Sequence, residues 1–311
     1  MAELLRKQQQ VIAVAIEDTY GTAANPTGAK AVLAQDLTVT MLEAQTQTRN
    51  NMNGIMGSQG SITVGRNATV SFGVEFAPNA VVTTPPAWGE LLRICGMAEV
   101  IDVDSVSYTP VSAGFESASL LYRIELLQQN LLGSRGKFVL NLDKGTIPSI
   151  KFDITSLYED PTKELADLSG IDTSAYQVPV GVTKDSVAVC TFLGEAVAMS
   201  KLTIDPGIGV KFLDDIGSES SEIETRNGKL TITFRTDEQT LIDQIKNANT
   251  NATGVFAFQL GSDVGKRLKV DVPQIQVSKS DVTWEGEFAY CSVDCDIVPN
   301  TKNNDLIITQ Y

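Results

Sequence analysis

Apolar and polar residues alternate with a period of two along much of the chain, which predicts half-buried β-strands. In the segment 69–76, Val70, Phe72, Val74 and Phe76 alternate with small or polar residues. The same alternation recurs in the segments 137–142, 150–154, 230–234 and 268–272. One apolar and one polar face on each strand is typical of sandwiches and antiparallel barrels. The pattern therefore predicts a mainly β protein.

Two segments predict α-helices instead. Pro86 suits the first turn of a helix that runs to about Cys95, and Gly96 suits its end. Thr236 and Gln239 have the spacing of a capping box in front of a second helix. The apolar stripe of that second helix consists of Leu241, Ile242 and Ile245.

The order of these elements repeats along the chain. Arg66-Asn67 precedes the strand segment 69–72, and Arg226-Asn227 precedes 231–234. Each half then contains one predicted helix and a basic turn that leads into a strand. The predicted last strands of the two halves are 150–157 and 284–293. The repeat indicates a duplicated β module.

The fold class that follows is mainly β, with two tandem β-sandwich domains that each carry one flanking α-helix. The first domain is expected over residues 1–160 and the second over 187–311. Between them, residues 161–186 are rich in Pro, Gly, Asp, Thr and Ser, which predicts a linker.

Composition is that of a soluble globular protein, with 42% apolar and 20% charged residues. No apolar run approaches the roughly 20 residues that cross a bilayer, so no membrane partner is expected. The first ten residues lack the apolar stretch of a secretory signal. We therefore expect the protein to be made inside the cell.

The chain contains no histidine, which excludes Ser-His-Asp and Cys-His catalysis and histidine-ligated zinc. No glycine-rich phosphate loop is present. The four cysteines have apolar neighbours and are interpreted as free, packed thiols. Acidic pairs such as Asp102 with Asp104 are interpreted as solvated surface residues. No enzymatic activity, cofactor, metal or catalytic residue is predicted.

The net charge of −14 disfavours binding to a nucleic-acid backbone, because such binding neutralises phosphates with lysine and arginine. The same charge keeps a concentrated protein soluble and makes a surface that faces DNA repel it.

One loop combines glycines with exposed apolar residues between two predicted strands. It covers residues 50–60, which is too long for a tight turn. Its candidate site residues are Met52, Asn53, Gly54, Ile55, Met56, Gly57 and Gly60. Apolar side chains at a loop tip require a surface that covers them, either a partner or the loop's own domain.

The N-terminal half resembles a known family, the major tail tube proteins of long non-contractile-tailed phages. The resemblance covers roughly residues 5–160. The segments that carry it are 11–22, 37–43, 64–72, 85–98, 108–117, 133–137 and 145–152. Beyond residue 185 only the order of elements agrees, so the second domain is assigned through the internal repeat.

The resemblance implies a virion tail protein whose β-sandwiches join across subunits into a barrel around a DNA-sized channel. Rings would stack around a tape measure protein, and the genome would later pass through without specific binding. Tail tip or baseplate proteins and a terminator protein would cap the two ends. The loop 50–60 would then be a ring-stacking loop.

Duplication adds an expectation about stoichiometry. If single-module relatives build rings of six, two fused modules build a pseudo-sixfold ring from three chains. The alternative is six chains, with one module in the tube and the other decorating its exterior. Because the repeat includes the helix and the closing strands, rings of three chains are favoured.

Two other functions remain as alternatives. The first is a terminal tail component, such as a distal tail or baseplate hub ring, which would be present in few copies. The second is a β-sandwich module that binds a carbohydrate or receptor through exposed aromatics. Trp88 lies in a predicted helix, and Trp284 is expected on an apolar strand face with Phe288 and Tyr290. Both tryptophans are therefore expected in the core, which disfavours the second alternative.

Overall fold

The computed structural model describes residues 5–52, 54–163, 170–174, 176–263 and 265–311, and it is mainly β. Each element below is given with its bounds. The strands of the first half are β1 (Gln10–Ile16), β2 (Ala31–Val32), β3 (Gln35–Thr48), β4 (Ser61–Glu75), β5 (Met97–Ile101), β6 (Val106–Pro110), β7 (Ala118–Ile124), β8 (Leu127–Asp143), β9 (Ser149–Leu157) and β10 (Thr162–Lys163).

The second half has an equal number of strands. They are β11 (Val187–Phe192), β12 (Glu195–Ala196), β13 (Met199–Asp205), β14 (Ile208–Asp215), β15 (Ser218–Arg226), β16 (Lys229–Arg235), β17 (Thr253–Leu260), β18 (Leu268–Glu285), β19 (Phe288–Ile297) and β20 (Ile307–Gln310). The α-helices are α1 (Gly89–Arg93) and α2 (Glu238–Thr250). Within the described ranges, neither helix combines the length and apolarity that crossing a bilayer requires.

Two antiparallel sheets pack face to face in the first half and share one bent strand. The first sheet has the order β3-β4-β9-β8, and the second has the order β2-β1-β7-β8-β10. Phe72, Phe138 and Phe152 point from the first sheet into the core, where each is at most 1% exposed. Trp88, next to α1, lies in the same core and donates its indole N–H to the carbonyl of Ala77 at 2.8 Å.

Strand β8 changes sheets at Gly133. Its first part pairs with β7 and its second part with β9, and the register shifts between Leu132 and Arg135. Gly133 has φ +55°, and a side chain there would meet the ring of Tyr20. The buried carboxylate of Glu17 accepts the N–H of Gly133 at 2.9 Å. Glycine is therefore required at the bend.

The second half repeats this pairing in the same chain order. Strands β13-β16-β19-β18 form one sheet, and β12-β11-β17-β18-β20 form the other. As with β8, the long strand β18 takes part in both sheets, and α2 lies between β16 and β17 along the chain. Each half therefore contains a strand, a helix, a bent strand and a closing strand in this order. The predicted basic turns do not correspond, because residues 133–137 lie at the bend of β8 whereas residues 265–267 come before β18.

The strand ladders align the two halves residue by residue. One row across the first sheet is Val39, Val70, Ile154 and Gly136, and its counterpart is Leu202, Ile232, Val293 and Ser280. Leu202 thus corresponds to Val39, two residues beyond the Leu37 suggested by sequence.

The segment between the halves and the last strand, β20, both add contacts that hold the halves together. In the predicted linker, Val182 is 3% exposed and exchanges backbone hydrogen bonds with Gly145 and Thr146. At the C-terminus, β20 pairs with β18 and also with β6 of the first half. The buried amide of Gln310 donates to three carbonyls of the loop 81–84 and accepts the N–H of Asn79.

Both helices differ in detail from their sequence predictions. Helix α1 begins at Gly89, because the residues from Pro86 form a turn, and it ends before Gly96, whose φ is +77°. Helix α2 is capped by Asp237, whose carboxylate accepts the N–H of Thr240 at 2.8 Å. The predicted capping box of Thr236 with Gln239 is therefore wrong by one position.

The prediction for Trp284 is wrong. Trp284 is the penultimate residue of β18, not part of the last strand, and it is 70% exposed. The turn at Gly286 and Glu287 breaks the alternation, so Trp284 faces the same side as Val282 while Phe288 and Tyr290 face the other. Strand parity does not carry across a hairpin turn, which is why the sequence pattern misassigned this face.

Candidate assembly interface

The two halves join through direct strand pairing. The end of β8 pairs with β13, so that Leu140 lies opposite Ile204 and Leu142 lies opposite Leu202. All four side chains are at most 1% exposed. The first sheets of the two halves therefore form one continuous sheet in the order β3-β4-β9-β8-β13-β16-β19-β18.

A hairpin of the second half also covers the first half. We name β14–β15 the C-terminal arm; it continues the β13–β16 hairpin and contacts β8 and β9. At its base, Ile208 and Ile223 lie beside Cys95, Gly96 and Phe115, next to the C-terminal end of α1. Burial raises the pKa of the Cys95 thiol, which keeps this thiol protonated in its apolar surroundings.

Arg135 anchors the C-terminal arm. Its guanidinium is largely buried and donates to the carbonyl of Ser221 at 2.8 Å and to that of Phe115 at 3.0 Å. It also forms an ion pair with Glu222. Tyr20 packs its ring 4.9 Å from this guanidinium and accepts the N–H of Ser221 at 2.6 Å. Burial raises the pKa of Tyr20, so its hydroxyl remains neutral beside the arm.

A second arginine fixes the base of the same arm. Arg226 contacts both carboxylate oxygens of Asp305, at 2.9 and 3.2 Å, and it donates to the carbonyl of Val111 at 2.7 Å. Both side chains of this ion pair are largely buried. Bidentate pairs of this kind fix geometry as well as adding energy. The arm is therefore a defined part of the fold.

The continuous sheet has two unpaired edges. Strand β3 pairs only with β4, and β18 beyond Val277 pairs only with β19, as far as the described residues show. Trp284 on the β18 edge corresponds to Leu140 on β8, since Val282 and Phe138 occupy matching positions two residues earlier. Leu140 is 1% exposed and Trp284 is 70% exposed. The same position is covered in one half and bare in the other.

Helix α2 shows the same contrast with α1. Leu91 and Leu92 of α1 are fully buried, whereas no residue of α2 is buried. Ile242 and Ile245, from the predicted apolar stripe, are about half exposed although α2 lies against β18 and β19. Exposed apolar surface of this kind is typical of an interaction site.

The predicted stacking loop connects β3 with β4, and β3 is the edge of the continuous sheet opposite to β18, which carries Trp284. Met52 and Met56 are fully exposed and Ile55 is 76% exposed. Gly54, Gly57 and Gly60 all have positive φ and have open space around them. Asn53 lies outside the described residues. No covering by the loop's own domain is seen for the two methionines.

The polar face of the continuous sheet carries charges of both signs. Lys137 and Lys151 both approach Asp153, at 3.8 and 3.9 Å. In the second half, Lys279 pairs with Asp281. Among the described residues, no cluster of three or more acidic or cysteine side chains has a metal-binding arrangement.

Comparison with known proteins identifies one related family. A family model described as phage tail tube protein matches residues 7–289. The match extends through both halves of the chain. No curated protein matches the sequence.

We expect Arg135→Met to lower the free energy of unfolding by about 2–4 kcal/mol, because the carbonyls and the carboxylate that it contacts lose their donor. Chemical denaturation measures this loss. Lys137→Met, two residues further along β8, removes only an exposed ion pair and should cost less than about 0.5 kcal/mol. Equal losses in the two variants would contradict the anchoring role of Arg135.

Proposed function

The chain belongs to the phage tail tube protein family, and from that premise we propose that three copies join edge to edge into each ring of a virion tail tube. Members of this family are structural proteins that assemble with themselves and with other tail proteins into a tube. The number of chains in a ring, the contacts between chains and the passage of DNA are parts of this proposal.

The β8–β13 junction is the observation that carries the proposal. It joins β8, the edge strand of the first sheet in one module, to β13, the edge strand of the first sheet in the next module, inside a single chain. Repeating this junction between chains places the β18 edge of one copy against the β3 edge of the next. By the aligned ladders, Trp284 then lies opposite Met41 of the neighbour, as Leu140 lies opposite Ile204. Head-to-tail contacts of this type form a ring when the rotation from copy to copy closes, as we propose for three chains.

Three chains suit this arrangement better than six. Each half contributes four strands to the continuous sheet, so each half can fill one of two adjacent positions in a barrel wall. A second half that only decorated the exterior would not need to extend the sheet of the first half. Both halves therefore belong to the wall, as an internal duplication with domains at 1–160 and 187–311.

The part of the polar face that the C-terminal arm leaves uncovered is the proposed channel lining. Its lysines have aspartate neighbours, as Lys137 and Lys151 have in Asp153. Such paired cations hold phosphates weakly, and the net charge of −14 adds repulsion. DNA can therefore pass without binding, and a tape measure protein can occupy the same space during assembly in the host cytoplasm.

The loop 50–60 is the proposed contact between rings. Met52, Ile55 and Met56 would cover their apolar surfaces on the adjacent ring, with glycines that permit the backbone to adapt. Terminator and tail tip or baseplate proteins would occupy the corresponding contacts at the two ends of the tube.

A terminal ring protein is the remaining candidate within the tail. The unpaired β3 and β18 edges suit a single ring as well as a stack, because they act only around the circumference. Copy number in purified virions separates the two functions, since a tube protein is abundant and a terminal ring is present once.

Ring closure is tested by Trp284→Asp. A charge near the end of β18, within the proposed β18–β3 junction, should prevent ring formation, while the isolated chain keeps its stability because Trp284 is exposed there. Electron microscopy and sedimentation measure rings, and denaturation measures stability. Val178→Asp changes an even more exposed apolar residue, in the segment between the two halves, and should form rings normally. Rings formed by Trp284→Asp at the wild-type concentration would contradict the junction.

Ring stacking is tested by deleting residues 51–60. The variant should remain folded and soluble but should no longer polymerise into tubes. The double variant Met52→Ser, Met56→Ser keeps the loop length and should weaken stacking in the same direction. Normal tube formation by the deletion variant would refute the role of this loop.

A further inference from the structure

We propose that the N-terminal arm of one copy lies on the second half of the neighbouring copy, over Lys279 and the C-terminal end of α2. We define the N-terminal arm as the part of the β3–β4 hairpin before its loop, residues 42–48 and 61–66. This inference rests on the proposed ring, but it concerns a different contact from the β18–β3 junction.

The two arms have the same ladder. In the N-terminal arm the facing pairs are Ala44 with Arg66, Gln45 with Gly65 and, after a bulge, Thr46 with Thr63. In the C-terminal arm they are Ile208 with Arg226, Gly209 with Thr225 and, after a bulge, Val210 with Ile223. The bulge falls at the same step in both. Thr63 therefore corresponds to Ile223, and Ser61 corresponds to Ser221.

The C-terminal arm shows where such an arm lies. It rests on the next module along the sheet, which is the first half of the same chain. Ser221 accepts a hydrogen bond from Arg135, and Ile223 lies against Gly96 at the C-terminal end of α1. The contact is therefore specified by one cation on the bent strand and by one helix end.

Most of the N-terminal arm is uncovered in the described chain; Gly65, which is buried against Asp214 of the C-terminal arm, is an exception. Every residue from Leu42 to Thr48 is exposed, and so are residues 61–64. Leu42, Ile62 and Val64 are each about half exposed. A two-stranded ribbon is marginally stable without a surface beneath it, and exposed apolar residues on it indicate a partner.

The second half contains the matching receiving surface. Arg135 pairs with Thr155 directly after the register shift in β8, and Lys279 pairs with Asp294 directly after the shift in β18. Lys279 therefore stands in the position of Arg135, and its side chain is 64% exposed. Asn251, with φ +50°, ends α2 as Gly96 ends α1. Both features that hold the C-terminal arm thus recur without an arm on them.

Only a second copy fits as the occupant. The chain's own N-terminal arm extends from β3, at the opposite edge of the sheet from β18. Seven strand spacings separate the two edges, which is roughly 30 Å along the sheet. In the proposed ring, the neighbour's β3 lies directly against β18, and its arm reaches Lys279 as the C-terminal arm reaches Arg135.

Cross-linking tests the placement. Ser61→Cys and Lys279→Cys are combined in one chain in which Cys190, the partly exposed native cysteine, is replaced by serine. A short bismaleimide is then added under ring-forming conditions. We expect covalent dimers and trimers on a denaturing gel. Each single variant should stay monomeric, and the mismatched pair Val103→Cys, Lys279→Cys should yield at least about tenfold less product.

The outcomes separate this inference from the ring itself. Rings seen by electron microscopy without cross-linked species would overturn the arm placement and leave the ring proposal standing. Cross-linked dimers without closed rings would support the arm contact and contradict closure. If the protein gives neither rings nor cross-links, both proposals are wrong.

Discussion

The pairing of β8 with β13 is the interaction on which the rest of this structure depends. A strand edge with free N–H and C=O groups is a template for further pairing, and a folded protein must cover it or use it. Here the edge strand of one sandwich pairs with the edge strand of the next, so the first sheets of the two sandwiches become one continuous sheet. The edge of β18 stays open at the end of the second half, although β18 turns at Gly286, the position that corresponds to Leu142.

The two halves share a topology but differ in what covers them. Strand β13 and the C-terminal arm bury Leu140 and Cys95 in the first half. At the matching places of the second half, Trp284 is bare and α2 is half exposed. In the proposed ring, this asymmetry within one chain allows each copy to cover the next one. The chain belongs to the phage tail tube protein family, whose members assemble into a tube.

Much of the fold was predictable from local sequence. Period-two alternation located β4, β8, β9, β16 and the start of β18, and the repeated Arg-Asn pairs marked equivalent points of the two hairpins, as the ladders at Arg66 and Arg226 confirm. Features that depend on turns and helix caps were harder to predict from the sequence. The hairpin at Gly286 places Trp284 on the face opposite to Phe288 and Tyr290. Asp237 is the N-cap in place of Thr236, and the side chains of both residues carry an oxygen that can accept a helix N–H.

The assembly surfaces could be predicted only in part. An exposed loop rich in glycine and methionine is visible in sequence, so the residues 52–60 were identifiable as a candidate contact. The roles of Arg135 and of the β18 edge were not, since they depend on pairing between segments far apart in the chain. Long-range strand pairing leaves no local signature, and a single arginine before a strand looks like any surface cation.

The most direct test of this account is a cryo-electron microscopy reconstruction of the assembled tube without imposed ring symmetry. The account predicts three chains per ring, with first and second halves alternating around a barrel to which each chain contributes eight strands. A ring of six equivalent chains, with the second half outside the barrel wall, would contradict it.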